Sequence, residues 1–219
     1  MVAPHAILQL RRSRAASGAW VKAGQQAGAG RGGMQHKVKI LVVGPPECGK
    51  TTLTNFLSEA GEVGGGGYRP TKGCRIVEFE IPNLNVNNMT AKVEVELWDI
   101  SGDRRYESCW PATQKGCNGV VFVYNPGQDD QARTLDSLYN QFAAQQGVRE
   151  TQCVVFCHHK PGVQGKGAKL SNAFSKIPLI DTQLEEDSGS VRRDFNNFVA
   201  SVLSHVSAVA EMQENSILM

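Results

Sequence analysis

The sequence predicts a single α/β domain whose mostly parallel, six-stranded sheet has one antiparallel edge strand and helices on both faces. Three observations support this fold class. Short β-branched runs alternate with helical segments after residue 34, and a glycine-rich loop joins the first run to the first helix. Two of the runs follow each other without a helix between them. With 219 residues, of which 41% are hydrophobic and 20% charged, the chain can bury one sizeable core.

The elements follow one another in a regular order. They are predicted as a strand at 37–43, a helix at 50–60, a β-hairpin of strands 74–80 and 92–98, a strand at 119–125, a helix at 131–145, strands at 151–157 and 177–181, and a helix at 191–212. The turn-rich segment 82–88 is predicted to join the hairpin strands. The last helix carries one apolar stripe, which predicts packing against the sheet: Val191, Phe195, Phe198, Val199, Val202, Leu203 and Val206.

Charge is distributed unevenly along the chain. Residues 1–33 contain five basic residues and no acidic one, whereas the remainder has 18 basic and 21 acidic residues. We predict a disordered basic extension at 1–33, a folded domain at 34–212 and a tail at 213–219. For residues 1–33, the alternatives are an organelle transit peptide and an upstream translation start with Met34 as the working start. The slightly acidic body argues against nucleic-acid binding, and no apolar run is long enough to predict a membrane-spanning helix.

The six cysteines do not form a pattern typical of disulfides. Cys153 and Cys157, together with His158 and His159, could suggest a zinc site. The two cysteines are four residues apart in a β-branched run, however, so a strand would direct both towards one packed face. We therefore predict that they are buried free thiols.

The segment Gly44–Thr51 fits the pattern G-x-x-x-x-G-K-[ST], which is typical of a phosphate-binding loop. It follows a strand and opens a helix, as its mechanism requires: backbone N–H groups converge on phosphate oxygens, aided by the positive end of the helix. Lys50 would reach the outer phosphates and Thr51 would bind Mg²⁺. The candidate phosphate-binding residues are Gly44, Glu47, Cys48, Gly49, Lys50, Thr51 and Thr52.

Two further segments are predicted to lie beside this loop. Asp99 and Gly102 form a D-x-x-G pattern at the end of the strand that closes the hairpin, at the edge of the sheet where ligands bind in open α/β folds. There, Asp99 can hold Mg²⁺ through water, and the Gly102 N–H can meet a γ-phosphate. Thr71 precedes the first hairpin strand, and its hydroxyl can add to Mg²⁺ when a γ-phosphate is present, which would make the segment an order–disorder switch.

These elements, in this order and spacing, resemble the Ras-like small GTPases, which are P-loop nucleotide-binding proteins, over nearly all of residues 34–212. The resemblance implies GTP or GDP with Mg²⁺ as ligands, Mg²⁺ contacts from Thr51, Thr71 and Asp99, and catalytic roles for Lys50, Thr71, Gly102 and Asp103. Asp103 stands where the family has its catalytic glutamine, so we expect slow hydrolysis at most.

The base-binding motif also departs from the family pattern. His159 and Lys160 occupy the positions of its Asn-Lys pair, and the resemblance implies that they contact the base. Gly162 stands where the family has a guanine-binding carboxylate. Losing that charge-assisted contact should weaken guanine binding.

A closer resemblance comes from Glu107–Ala112 and His158–Gly162, which are similar to the Rab-like subunits of intraflagellar transport complex B. It implies a subunit for cilium or flagellum assembly, located in the cytoplasm, the cilium and its basal body, with a coiled-coil pair of the same complex as partner. We predict docking across Tyr68–Thr71 and Asp103–Trp110, with Tyr68, Tyr106 and Trp110 as aromatic anchors; the alternative for Trp110 is that it belongs to the core. The C-terminal residues contain no cysteine, so no prenyl lipid anchor is expected. A cycling signalling GTPase and a structural subunit with a vestigial pocket remain alternatives.

Overall fold

The structure is a computed structural model that describes residues 8–12, 35–59, 69–128, 130–160 and 170–217. Its strands and α-helices are, in chain order, β1 Leu8–Arg12, β2 Gln35–Val43, α1 Lys50–Leu57, β3 Cys74–Val86, β4 Met89–Ile100, α2 Trp110–Gln114, β5 Gly119–Tyr124, α3 Gln131–Phe142, β6 Cys153–His158, β7 Leu179–Thr182 and α4 Ser188–Ile217. Short 3₁₀ helices lie at Arg104–Cys109, Ala144–Gln146, Glu150–Gln152 and Asn172–Phe174.

The strands form one sheet in the order β1-β3-β4-β2-β5-β6-β7. Strands β4, β2, β5, β6 and β7 are parallel, and β3 is antiparallel to β4. The predicted mixed sheet of six strands is therefore confirmed. The seventh strand, β1, was not predicted: it pairs in parallel with β3 and lies within the segment expected to be a disordered extension, whose boundaries stay a prediction.

Helices cover both faces of the sheet, and each face has its own hydrophobic core. Val38, Ile40 and Val42 of β2 face α1 and α4, whereas the intervening Leu41 and Val43 face the core that contains residues of α3. This alternation follows from the period of two in a strand, and burial of both faces is typical of a parallel sheet. The apolar stripe predicted for the last helix is confirmed, because it packs into the α1 side of the core.

The hairpin differs from its prediction. Strands β3 and β4 continue through most of 82–88, and the turn is made by Asn87 and Asn88, whose φ angles are 50° and 65°. Asparagine tolerates this left-handed region, which two-residue hairpin turns require. A register shift between Ile81 and Leu84 spans Pro82, which lacks a ladder donor. The proline and asparagines were thus wrongly interpreted as one long turn.

The parallel arrangement positions the candidate site. The carboxyl ends of β2, β4 and β6 lie at the same edge of the sheet, so the loops that follow them meet there. Among the helices that the structure describes, none has the length and hydropathy needed to cross a bilayer.

Candidate nucleotide-binding site

The loop between β2 and α1 requires glycine at both ends. At Gly44, a Cβ atom would lie 2.1 Å from the carbonyl oxygen of Val123. Gly49 has a φ of 96°, a conformation that side chains disfavour, and Glu47 also has a positive φ of 60°. Cys48 is buried beneath the loop, and burial raises the pKa of its thiol. The sequence thus fixes a tight loop directly before the N-terminus of α1.

Lys50 is the first residue of α1, and its side chain is buried inside the loop. Its Nζ donates to the carbonyl oxygens of Gly44, at 2.9 Å, and Pro45, at 2.7 Å, and lies 3.7 Å from Sγ of Cys48. The ammonium charge is therefore held within the loop by peptide dipoles. This places a positive charge where a phosphate-binding lysine is needed.

Three side chains that are far apart in the sequence meet beside Lys50. The Thr51 hydroxyl donates to Oδ2 of Asp99 at 2.7 Å and lies 3.0 Å from the Thr71 hydroxyl, which is itself 3.3 Å from the same carboxylate oxygen. These are the three residues predicted to bind Mg²⁺, and the structure brings them together.

The Asp99 carboxylate is suited to a cation. It is fully buried, and burial raises its pKa, although the hydrogen bond from Thr51 opposes this shift. Its Oδ1 atom accepts no hydrogen bond from any described residue. An unpaired buried acceptor costs about 1–3 kcal/mol, so a hydrated divalent cation would offset this cost. The donor set of hydroxyl and carboxylate oxygens fits Mg²⁺.

Gly102 lies against the phosphate loop. A Cβ at this position would be 2.6 Å from the carbonyl oxygen of Gly44 and from the backbone of Pro45 and Pro46, so only glycine permits this close approach. The structure therefore places Gly102 beside the phosphate loop, as the sequence led us to expect. The γ-phosphate contact assigned to its N–H stays a prediction.

Asp103 has a structural role in the 3₁₀ helix that it precedes. Its Oδ1 accepts from the backbone N–H of Arg105 at 2.9 Å, and its Oδ2 accepts from Nε of Arg105 at 2.8 Å. These hydrogen bonds lower the pKa of the carboxyl group. Both oxygens are therefore engaged by Arg105, and the catalytic role of Asp103 stays a prediction.

His158 is a site residue that the sequence analysis did not assign. Its ring is packed so closely on the loop that a Cβ on Gly49 would be 2.1 Å from its Cδ2. Its Nδ1 lies 3.2 Å from the hydroxyl of Thr182, and burial lowers the pKa of the imidazole to about 4. Strand alternation could have identified it, since Val154 and Phe156 point to the same face as His158, the α1 side.

The residues predicted to contact the base lie farther along this loop. His159 is directed towards β7, where its Nε2 lies 3.1 Å from Oδ1 of Asp181 and 3.6 Å from Sγ of Cys157. Lys160 is partly exposed, and Gly162 lies outside the described residues. Base contacts by His159 and Lys160 stay predictions, as does the phosphate role of Thr52, which is exposed on α1.

The prediction of free thiols is confirmed, because all six cysteines are free and Cys153 and Cys157 are buried in the same core. Of the four donors suggested for zinc, Cys157 and His159 lie together, whereas Cys153 and His158 do not join them. The three atoms that do lie within 4.8 Å of one another belong to Cys157, His159 and Asp181, and the contacts of His159 with the other two account for the arrangement.

The predicted docking segments are only partly surface features. Trp110 is 7% exposed and packs against Phe142 at a ring-centroid distance of 5.0 Å, so its prediction as an aromatic anchor is wrong. Its position at the start of α2 directs the indole into the core that α3 also lines. Tyr106 is partly exposed, and Tyr68 lies outside the described residues.

The sheet order, the phosphate loop and the three residues that meet beside Lys50 define a Ras-like GTPase domain. In agreement, residues 39–160 match the family described as Ras of Complex, Roc, domain of DAPkinase. Two crystal structures are similar: T. brucei IFT22/74/81 bound to GTP, with a TM-score of 0.59, 27% identity and coverage of 77% of this chain and 98% of that one, and T. brucei IFT22 bound to GTP, with a TM-score of 0.59, 28% identity and coverage of 78% and 99%.

Curated relatives identify the family within this class. The chain is 44% identical to the intraflagellar transport protein 22 homolog of Danio rerio and 40% identical to that of Homo sapiens, in each case over 83% of this chain and 98% of the relative. It is 30% identical to the intraflagellar transport associated protein 2 of Caenorhabditis elegans, over 75% and 79%. The chain belongs to the intraflagellar transport protein 22 family.

Proposed function

We propose that this chain is a GTP- and GDP-binding subunit of intraflagellar transport complex B that is needed for cilium or flagellum assembly. The observation that carries the proposal is the convergence of Thr51, Thr71 and Asp99 beside Lys50. Residues 20 to 48 positions apart meet at one buried carboxylate, which a purely structural domain does not require.

The proposed roles follow from the chemistry of each group. The loop from Gly44 to Gly49 offers backbone N–H groups to phosphate oxygens, and Lys50 neutralises the outer phosphates. Thr51 and Thr71 present hydroxyl oxygens, and Asp99 presents a carboxylate, to a Mg²⁺ ion, which when bound screens the phosphate charge. Gly102 brings its backbone close enough to the loop to sense a terminal phosphate.

Hydrolysis, where it occurs, is expected to be slow. A catalytic residue at position 103 must orient water beside the terminal phosphate. The Asp103 carboxylate is instead bound by Arg105, and its negative charge opposes a role next to phosphate. The chain would therefore remain in one nucleotide state for long periods, which suits a stable subunit better than a timing switch.

The partner proposed is the coiled-coil pair of the same complex, which would place the chain in the cytoplasm, the cilium and its basal body. One similar structure is the T. brucei IFT22/74/81 complex. The docking surface proposed consists of 69–71 and 103–109, with the partly exposed Tyr106 as its aromatic anchor. Trp110 has no part in it, because it is buried.

The two alternative functions, a cycling signalling GTPase and a structural subunit, fit the structure less well. A cycling signalling GTPase would need fast, regulated hydrolysis, which the bound state of Asp103 does not favour. A structural subunit with a vestigial pocket would not need a buried carboxylate with an unpaired oxygen beside a buried lysine. We therefore favour a nucleotide-binding subunit with little turnover.

The test compares nucleotide and partner binding in matched variants. Thr51→Ala removes a proposed Mg²⁺ and phosphate contact, whereas Thr90→Ala removes an exposed hydroxyl next to the hairpin turn. We expect Thr51→Ala to weaken GDP and GTP binding at least about tenfold and Thr90→Ala to have no effect. Equal binding by both variants, or preference for ATP over GTP, would contradict the proposal. Co-precipitation of the coiled-coil pair with and without GTP then tests the partner.

A further inference from the structure

Arg75 on β3 lies directly opposite Asp99 on β4 in the antiparallel register. Its Nε is 3.6 Å from Oδ2 of Asp99, and its side chain is 16% exposed. No sequence motif assigns a role to Arg75, which lies outside both the phosphate loop and the D-x-x-G segment.

The pair of side chains is incompletely satisfied. Nε and Nη2 of Arg75 are buried, and neither donates a hydrogen bond to any part of the chain that the structure describes. On the other side of the pair, Oδ1 of Asp99 is buried and equally unpaired. A buried charged group that lacks hydrogen-bond partners costs folding free energy. Pairing with an opposite charge would therefore stabilise both Arg75 and Asp99.

Two cations, the Arg75 guanidinium and Mg²⁺, can pair with the Asp99 carboxylate. Its Oδ2 atom is already engaged by Thr51 and Thr71, which leaves Oδ1 to be paired. Arg75 cannot lose its charge, its planar fork matches a carboxylate, and its Nε and Nη2 donate no hydrogen bond within the described residues, so it offers donors to this carboxylate. Mg²⁺ would require the same oxygen, directly or through water.

We propose that Arg75 is a positioning residue that competes with Mg²⁺ for Asp99 and makes nucleotide binding only weakly dependent on Mg²⁺. This inference rests on the proposed nucleotide-binding function. Arg75 acts in two ways: it holds the carboxylate in place when the cation is absent, and its positive charge repels the cation at short range. The phosphates then rely more on Lys50, the loop amides and the fixed charge of Arg75.

The experiment measures the dissociation constant of a fluorescent GDP analogue in saturating Mg²⁺ and in excess EDTA. We expect the ratio of the two constants to be less than about tenfold for the unaltered chain, at the low end of typical coupling between ligands. Arg75→Gln should raise this ratio at least about tenfold, by weakening binding in EDTA and strengthening it in Mg²⁺. Arg75→Lys keeps the charge and should stay close to the unaltered ratio.

Arg149→Gln is the matched control, because it removes an exposed arginine before β6, at the edge of the sheet opposite the site. It should leave the ratio unchanged. A ratio of tenfold or more for the unaltered chain, or an unchanged ratio in folded Arg75→Gln, would overturn the role of Arg75. If Arg75→Gln fails to fold, the ratio of the unaltered chain still decides the question, because a value of tenfold or more contradicts the proposed competition. Absence of GDP binding under both conditions would count against nucleotide binding itself.

Discussion

Acidification should destabilise this fold through His158. The imidazole is 4% exposed, packs on Gly49 and lies 3.2 Å from the Thr182 hydroxyl, so it is buried in its neutral form. Burial lowers its pKa from 6.5 to about 4, and the charges of His159 and Lys160 act in the same direction. The unfolded chain therefore binds a proton at this residue at a higher pH than the folded chain does.

The size of the effect follows from this difference. Because the folded state has the depressed pKa, stability is retained above pH 6.5 and is lost as the pH falls towards 4. A shift of about 2.5 units corresponds to a maximum of about 3 kcal/mol at 1.36 kcal/mol per unit. Between pH 7 and about pH 4.5, we expect His158 to contribute about 2 kcal/mol of lost stability.

Urea unfolding at a series of pH values measures this contribution. His158→Asn removes the titrating ring, so its stability should fall about 2 kcal/mol less over this range than that of the unaltered chain. The control is His205→Asn, since His205 lies on α4 and is partly exposed. Parallel stability curves for the unaltered chain and His158→Asn would refute the reasoning, whatever their separation at neutral pH.

Three further predictions concern the core, catalysis and the base. Trp110→Ala should lower the free energy of unfolding by about 3–5 kcal/mol in urea titrations, because it leaves a large cavity beside Phe142; a change below about 1 kcal/mol would contradict the burial of the indole. Intrinsic GTP turnover should not exceed roughly 10⁻⁴ to 10⁻³ per second, and single-turnover assays should find it raised in Asp103→Gln if the rest of the site is competent. Calorimetry should find GTP bound far more weakly than by typical Ras-like GTPases, since Gly162 cannot pair with guanine; very tight binding would oppose this.

The sequence predicted the parts of the fold that depend on strong local patterns. The apolar stripe of α4 and the β-branched runs of β2, β5 and β6 each bury one or two complete faces, so periodicity identified them. The phosphate loop was equally recognisable, because its glycines and lysine occur at a fixed spacing. From these patterns alone, the place of the site at the carboxyl edge of the sheet could be inferred.

Other features depend on contacts that no local pattern encodes. The hairpin turn lies at Asn87 and Asn88, and the strands continue past Pro82, which lies at a register shift. Trp110 is buried because α3 places Phe142 beside it. The register of the hairpin strands places Arg75 opposite Asp99. This register could not be predicted from the sequence, because the position of the turn was not known.

The same register restricts how the Thr71 segment can move. The N–H of Ser101 donates to the carbonyl oxygen of Gly73 at 2.8 Å, so the segment that carries Thr71 is joined to the segment that carries Gly102. Sliding β3 by one residue would exchange its buried and exposed faces, and this cost excludes movement by register slip. If Thr71 is released as a switch residue, we expect this to occur by local fraying of 69–72, next to Gly73, whose φ is 71°. Because Gly73 is bonded to Ser101, we expect a partner that orders either segment to favour order in the other.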